Sequence, residues 1–172
     1  MLIFLIGFMG SGKTTAGKML AERLQYDFAD TDDLIEQREN MEITRIFAQK
    51  GEEYFRRVEA EVLESLLKND NMVISCGGGT PCFFDNMRKM NNAGITVYLK
   101  VSSKTIAQRV SEQHSNRPLI AGIKGDKLIT HIRKLLSGRE GWYRQSRIIY
   151  PADNFNLDEL AGQIEEFTKE QQ

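Results

Sequence analysis

The chain has 172 residues, the length of one domain on a prior of roughly 100 to 200 residues per unit. With 41% hydrophobic and 27% charged residues it has enough apolar side chains for a sizeable core and too many for a disordered chain. Lys and Arg number 23 against 24 for Asp and Glu, a net charge of −1, which excludes bulk cationic binding of nucleic acid or acidic membranes and leaves a small anionic ligand open.

The opening apolar run, Met1 to Ile6, is far short of the roughly 20 residues that a membrane span needs. No basic segment precedes it, so a soluble, cytoplasmic protein is expected. Leu2 to Ile6 reads as a strand buried on both faces of a parallel sheet. Lys13 to Leu24 follows with Ala16, Met19, Leu20 and Leu24 at helical spacing, and Tyr26 to Ala29 is a second, weaker strand. Asp33 and Glu36 have capping-box spacing and predict the start of a short helix. Ile43, Ile46 and Phe47 give the next helix, stopped at Gly51. A long helix is expected from Glu52 to Lys68, with Phe55, Val58, Val62, Leu66 and Leu67 on its apolar face and Arg56, Arg57, Glu61 and Glu64 off it.

Strands follow at Met72–Ser75 and Ile95–Lys100, with a helix between them that ends at Gly94. Ser103 to Val110 is helical, and Glu112 to Gly125 shows no periodicity and the composition of a functional surface loop. Helices near Asp126–Ser137 and Leu157–Glu170 flank a last strand at Ile148–Tyr150, and Asn156 with Glu159 again has cap spacing. This alternation predicts an α/β protein with a parallel sheet covered on both faces. Cys76 and Cys82 match no zinc spacing and read as free thiols of a reducing compartment, and the single Trp142 reads as a packing residue.

The strongest motif is Gly7-Phe8-Met9-Gly10-Ser11-Gly12-Lys13-Thr14, the G-x-x-x-x-G-K-[ST] phosphate-binding pattern between a predicted strand and a predicted helix. Its glycines allow positive φ, so the backbone N–H groups turn inward on phosphate oxygens, and the helix start adds its positive dipole end. Lys13 is placed to reach the β- and γ-phosphates and Thr14 to ligate magnesium. The Asn-Lys-x-Asp sequence by which a GTPase reads its base is absent.

Two further clusters sit where ligands gather, at the carboxyl ends of strands. Asp30 and Asp32 follow the second strand and point the same way if the segment is extended, although helix capping explains an acidic pair there equally well. Gly77-Gly78-Gly79 ends the third strand; so costly a run favours close approach of backbone to a ligand over a plain turn. Arg56, taken alone, reads as a solvated charge on a helix face.

Together, Gly7 to Thr15, Asp30-Thr31-Asp32 with Ile35-Glu36, Gly51-Glu52 with Phe55-Arg56, the triple glycine, Arg117-Pro118-Leu119 and Arg139 with Tyr143 resemble the shikimate kinase family, in order over residues 2 to about 150. The resemblance implies a single three-layer P-loop kinase domain over residues 1–172, with a five-stranded parallel sheet in order 2-3-1-4-5. It implies a substrate-binding region near 31–62 and a mobile lid near 111–126. The implied reaction moves the γ-phosphoryl group of ATP to the 3-hydroxyl of shikimate, with one Mg2+ per subunit, in chorismate and aromatic amino acid biosynthesis.

The matched catalytic positions are Lys13, Asp32 and Arg117. ATP would lie against Gly10, Ser11, Gly12, Lys13, Thr14, Thr15, Arg109 and Arg117, and shikimate against Asp32, Arg56, Gly78, Gly79 and Arg139, with Thr14 and Asp30 at the metal. The implied partners are these two small molecules alone, with no nucleic acid and no membrane, for a monomer. Gly141 and Ser146 depart from the family's usual proline and alanine, and Pro151 to Asn154 does not reproduce a basic adenine-side contact. A gluconate or nucleotide kinase of the same fold, or a non-catalytic nucleotide-binding regulator, are the competing readings. The acidic, arginine and glycine set suits a hydroxylated carboxylic acid better than the substrates of the former, and the latter is disfavoured because no candidate catalytic position is lost.

Overall fold

The computed structural model describes residues 1–112 and 122–171. Five strands, β1 (Leu2–Ile6), β2 (Asp27–Asp30), β3 (Met72–Ser75), β4 (Gly94–Lys100) and β5 (Ile148–Pro151), form one sheet in the order β2-β3-β1-β4-β5, with every pairing parallel. The helices are α1 (Lys13–Leu24), α2 (Thr31–Glu39), α3 (Ile43–Leu66), α4 (Asn86–Ala93), α5 (Ser103–Glu112), α6 (Gly125–Tyr143) and α7 (Leu157–Glu170), with a 3-10 turn at Thr80–Cys82. They flank the sheet, α1 packing on β3 and α7, α2 on α3, and α5 on α6.

The central strand explains why the sheet forms. All five residues of β1 are buried, and burial of each such side chain is worth about 1.5–3 kcal/mol, more than a typical cap or surface ion pair. Because β2, β3 and β1 are adjacent and parallel, spaced about 4.8 Å apart, the loops that leave their carboxyl ends meet at one edge. Those loops carry Thr31-Asp32, Gly77–Gly79 and Gly7–Gly12.

Most predicted elements stand within a few residues of expectation, and the differences have local causes. Asp30, not Asp33, caps α2: its Oδ1 accepts the Asp32 N–H at 3.0 Å, so the helix begins at Thr31 and Asp33 is an exposed first-turn residue. The Asn156 cap is as expected, its Oδ1 accepting the Glu159 N–H at 3.1 Å. The helices on either side of Gly51 run on as the single element α3, but Gly51 itself has φ 81° and ψ 169°, a left-handed break that only glycine adopts without strain. Helix α6 continues to Tyr143, past Gly138 and Gly141, because Leu128, Ile132 and Tyr143 bury along it. Trp142 is 42% exposed and is not a packing residue. The proposed lid falls mostly on residues 113–121, outside the described residues, together with Arg117 and His114.

Gly94 gives a test of the sheet. Its backbone is fully extended (φ −178°), so conformation does not demand glycine, but it pairs with Leu2, and a Cβ there would lie 2.2 Å from the Leu2 carbonyl oxygen. Gly94→Ala is expected to destabilise the protein by about 1–3 kcal/mol, the usual cost of overpacking. Thermal unfolding should show a midpoint several degrees lower; an unchanged midpoint would mean that β1 and β4 separate without cost.

Candidate active site

The phosphate loop is built as its sequence requires. Gly7, Gly10 and Gly12 have φ of 144°, 73° and 91°, and Gly12 precedes α1 without any side-chain cap. The first N–H groups of α1 are therefore left to whatever occupies the adjoining cavity, as in an anion site. Lys13 curls back across the loop, its Nζ donating to the carbonyls of Gly7 and Phe8, both at 3.0 Å. The Ser11 hydroxyl is buried with no hydrogen-bond partner among the described residues, a polar atom inside the loop that a phosphate oxygen would satisfy.

A cavity of about 370 Å³ opens over this loop, lined by Gly10 to Ala16, Asp30, Asp32, Gly77, Gly78, Arg109 and Phe155 among others. Thr14 Oγ1 donates to Asp30 Oδ2 at 2.8 Å on its floor. That pairing of a hydroxyl with a carboxylate is a hard-oxygen donor set that suits Mg2+, which takes few protein ligands and completes its shell with water and phosphate oxygens. In keeping with so sparse a set, no cluster of three or more His, Cys, Asp or Glu suited to a metal occurs among the described residues. Arg109 closes one wall: Nη1 donates to Ser11 O at 3.2 Å and Gly10 O at 3.4 Å, and Nη2 to Ala152 O at 3.4 Å. It thus ties the phosphate loop to the segment after β5.

A second cavity, about 470 Å³, adjoins the first, and Met9, Asp32, Gly77 and Gly78 line both. Its far side is formed by Arg56, Glu59, Glu52, Phe47, Phe55 and Arg139. Arg56 is only 7% exposed, contrary to the solvated charge that helical periodicity suggests. Its Nη1 donates to Glu59 Oε2 at 2.9 Å and its Nη2 to Glu52 Oε1 at 3.1 Å, while the Phe83 ring lies over the guanidinium at 4.4 Å. Glu59 is itself buried, and its other oxygen accepts the Thr80 hydroxyl at 2.6 Å. Both carboxylate oxygens are thereby satisfied, the condition under which a buried ion pair is tolerated.

The triple glycine is explained by these side chains. A Cβ on Gly79 would fall 2.4 Å from Arg56 Nη1, and one on Gly77 would fall 2.8 Å from Asp32 Oδ1 and 2.9 Å from Glu59 Oε1. Gly77 and Gly79 are glycine because two carboxylates and a guanidinium occupy the space of their side chains, whereas a Cβ on Gly78 would meet its nearest neighbours only at 3.5 Å. Arg139, on α6, stands 5.7 Å over the Phe8 ring and makes no salt bridge among the described residues. One turn on, burial raises the Tyr143 phenol well above its usual pKa, and its hydroxyl donates to Gly78 O at 2.5 Å. Burial likewise raises the thiols of Cys76 and Cys82, which are free and held in their unreactive protonated form.

Of the residues named from sequence, Gly10 to Thr15, Asp30, Asp32, Gly78 and Arg109 gather at the first cavity, and Asp32, Arg56, Gly78, Gly79 and Arg139 at the second. Arg117 lies outside the described residues. Asp30 and Asp32 converge for a reason other than the expected extended segment: one ends a strand and the other opens a helix. Sequence reading missed Glu59, Thr80, Phe83 and Phe155. Glu59 was the most findable, since it lies three residues from Arg56 on one helix, the spacing of an ion pair.

A phosphate loop beside a second, acid- and arginine-lined cavity, with one carboxylate common to both, defines a P-loop kinase. The model of the shikimate kinase family matches residues 9–169. A shikimate kinase of Azobacteroides pseudotrichonymphae is 44% identical over 159 residues, which is 92% of this chain and 94% of that protein. Among solved structures, shikimate kinase from Bacteroides thetaiotaomicron superposes with a TM-score of 0.90 at 36% identity, covering 98% of both chains. Shikimate kinase from Acinetobacter baumannii in complex with shikimate gives 0.87 at 32% identity, covering 99% of this chain and 94% of that one. The chain belongs to the shikimate kinase family.

Gly79→Ala separates the two cavities experimentally. Its φ of −95° accepts alanine, and the nearest obstacle is Arg56, whose guanidinium must leave its place between Glu52 and Glu59. Binding of an acidic acceptor in the larger cavity should weaken by about 1.5–3 kcal/mol, the worth of a hydrogen bond to a charged group. Nucleotide affinity should be unchanged. Calorimetric titration of each ligand checks this, and equal losses for both would mean that the glycine run serves the phosphate loop.

Proposed function

We propose that this protein transfers the γ-phosphoryl group of ATP to the 3-hydroxyl of shikimate, yielding ADP and shikimate 3-phosphate on the route to chorismate and the aromatic amino acids. The observation that carries the reading is that Asp32 lines both cavities, at the only kind of position where one group reaches a hydroxyl in one cavity and faces a phosphate in the other.

In this reading ATP lies along the phosphate loop, its phosphates on the N–H groups of Gly10, Gly12, Lys13, Thr14 and Thr15 and on the Ser11 hydroxyl. Arg109 and Phe155 bound the nucleotide end of that cavity. Shikimate lies in the larger cavity with its carboxylate between Arg56 and Arg139 and its ring against the backbone of Gly78 and Gly79. Arginine suits this task because its planar fork donates two parallel hydrogen bonds to a carboxylate. Asp32 accepts the proton of the attacking hydroxyl and holds that oxygen in line with the phosphorus. Lys13 neutralises charge on the transferring group, and catalysis is mostly such positioning and charge placement.

Thr14 and Asp30 are the residues that would hold magnesium, which with ATP bound supplies positive charge at the β- and γ-phosphate oxygens. Arg117 is assigned to the phosphates through the family resemblance, in a lid near 111–126 that excludes water, and residues 31–62 form the acceptor side. The protein acts as a cytoplasmic monomer. Among the described residues, no helix is long and apolar enough to cross a membrane.

An ADP-release assay offering shikimate, gluconate and nucleoside monophosphates in turn should respond to shikimate alone; response to none of them would favour the regulator. Asp32→Asn should lower kcat by roughly a hundredfold or more, the usual share of a general base, with ATP affinity retained. Matching losses in both would place Asp32 in the nucleotide's service. Arg139→Ala should weaken shikimate binding by about 1.5–3 kcal/mol at little cost in stability. Arg56→Ala should weaken it similarly and also destabilise the fold by roughly 3–5 kcal/mol, because Glu59 is left buried and unpaired. Unchanged shikimate affinity in both arginine variants would overturn the carboxylate clamp.

A further inference from the structure

Arg139 sits on an intrinsically weak turn. Gly138 and Gly141 flank it near the end of α6, and glycine is the poorest helix former after proline. Neither glycine is required by its surroundings, since a Cβ at either would meet nothing within 4 Å. Trp142 in the same turn is exposed. Glu140 pairs with Arg144 across this turn at 2.8 Å, and its buried side is held by Tyr143, four residues from Arg139 and so on the same face of the helix.

Tyr143 is wholly buried, its ring against that of Tyr98 on β4 with centroids 5.1 Å apart. Its hydroxyl reaches across to donate to Gly78 O at 2.5 Å. Arg139 Nη1 stands over the same glycine, 3.5 Å from where a Cβ would be. Tyr143 itself lines neither cavity. This hydrogen bond ties the turn that bears Arg139 to the backbone that floors the acceptor cavity.

We propose that Tyr143 is a positioning residue for the phosphoryl acceptor, setting the gap between Arg139 and Gly78 into which the acceptor fits. The inference rests on the reading of Arg139 as a carboxylate clamp and goes beyond it. Loss of the hydroxyl leaves the packed ring in place, so the fold persists while the last turn of α6 frays and Arg139 samples positions away from the cavity. The cost falls on acceptor binding and not on the nucleotide, whose loop shares no bond with Tyr143.

The test compares Tyr143→Phe, Arg139→Lys and the double variant Tyr143→Phe/Gly141→Ala by steady-state kinetics, with thermal melting to confirm folding. Tyr143→Phe should raise the KM for shikimate roughly three- to tenfold, the range of one net hydrogen bond, with the KM for ATP within about twofold of the parent. Adding Gly141→Ala, which stiffens the turn, should recover part of that loss. A melting midpoint that falls while the shikimate KM stays put would show a merely structural hydroxyl and overturn the proposal. Parallel rises in both KM values, or no recovery on adding alanine, would overturn it as well. Should Arg139→Lys leave the shikimate KM unchanged, the clamp reading itself fails; should it raise that KM while Tyr143→Phe does not, only the role of Tyr143 fails.

Discussion

The site depends first on the Asp30 carboxylate. One of its oxygens accepts the Thr14 hydroxyl at 2.8 Å and the other the Asp32 N–H at 3.0 Å, so a single group joins the first turn of α1 to the first turn of α2. The same turn of α2 is fixed from a third side, where the Gly77 N–H donates to the buried Thr31 hydroxyl at 2.9 Å. Asp32 is thereby referenced to the phosphate loop and the glycine run together. In-line phosphoryl transfer tolerates little misplacement, since an error of about 1 Å can cost a hundredfold in rate. A carboxylate held from two elements by short polar contacts, as the proposed base is, meets that demand better than one carried on a free loop.

The acceptor side uses a different device. Burying the Arg56–Glu59 pair costs several kcal/mol of lost hydration per ion, and the pair persists because every strong contact is supplied: Glu59 takes Arg56 and Thr80, and Arg56 takes Glu59, Glu52 and the face of Phe83. The glycine run is the steric complement of that arrangement, leaving room for a guanidinium and two carboxylates where side chains would otherwise stand. Arg56 thus enters the cavity with its direction fixed and its charge largely offset. Arg139 enters with no acidic partner among the described residues, so in the proposed clamp the attraction for a substrate carboxylate would come mainly from α6, with Arg56 supplying geometry.

This division was only half legible in the sequence. The phosphate loop was readable because its chemistry is local: a glycine spacing, a lysine and a threonine between a strand and a helix. The run of buried β1 was readable for the same reason. Arg56 was not, because helical periodicity reports which face of α3 meets the sheet and says nothing of Phe83 and Gly79, which close over the opposite face from sequence positions more than twenty residues away. Asp30 and Asp33 both have capping chemistry, and capping spacing alone did not choose between them; Asp30 accepts the Asp32 N–H. Strand order was available only through resemblance, since periodicity locates strands and does not arrange them. Helix α6 runs past the expected Ser137 to Tyr143, because burial of Tyr143 sustains it through two glycines, the poorest helix formers after proline.

That override bears on how the family's chemistry is sustained with a net charge of only −1. Lys13, Arg56, Arg109 and Arg139 converge on one edge of the sheet, yet three of them are bound to protein oxygens: Lys13 and Arg109 to loop carbonyls, Arg56 to carboxylates. Their fields are real but spent partly on holding the site together. A cation whose charge is reserved for ligand cannot be fixed by an acidic neighbour, because the neighbour would neutralise it. It can be fixed by a neutral group instead. The hydrogen bond from Tyr143 to Gly78, one helical turn from Arg139 and carrying no charge, is a restraint of that kind.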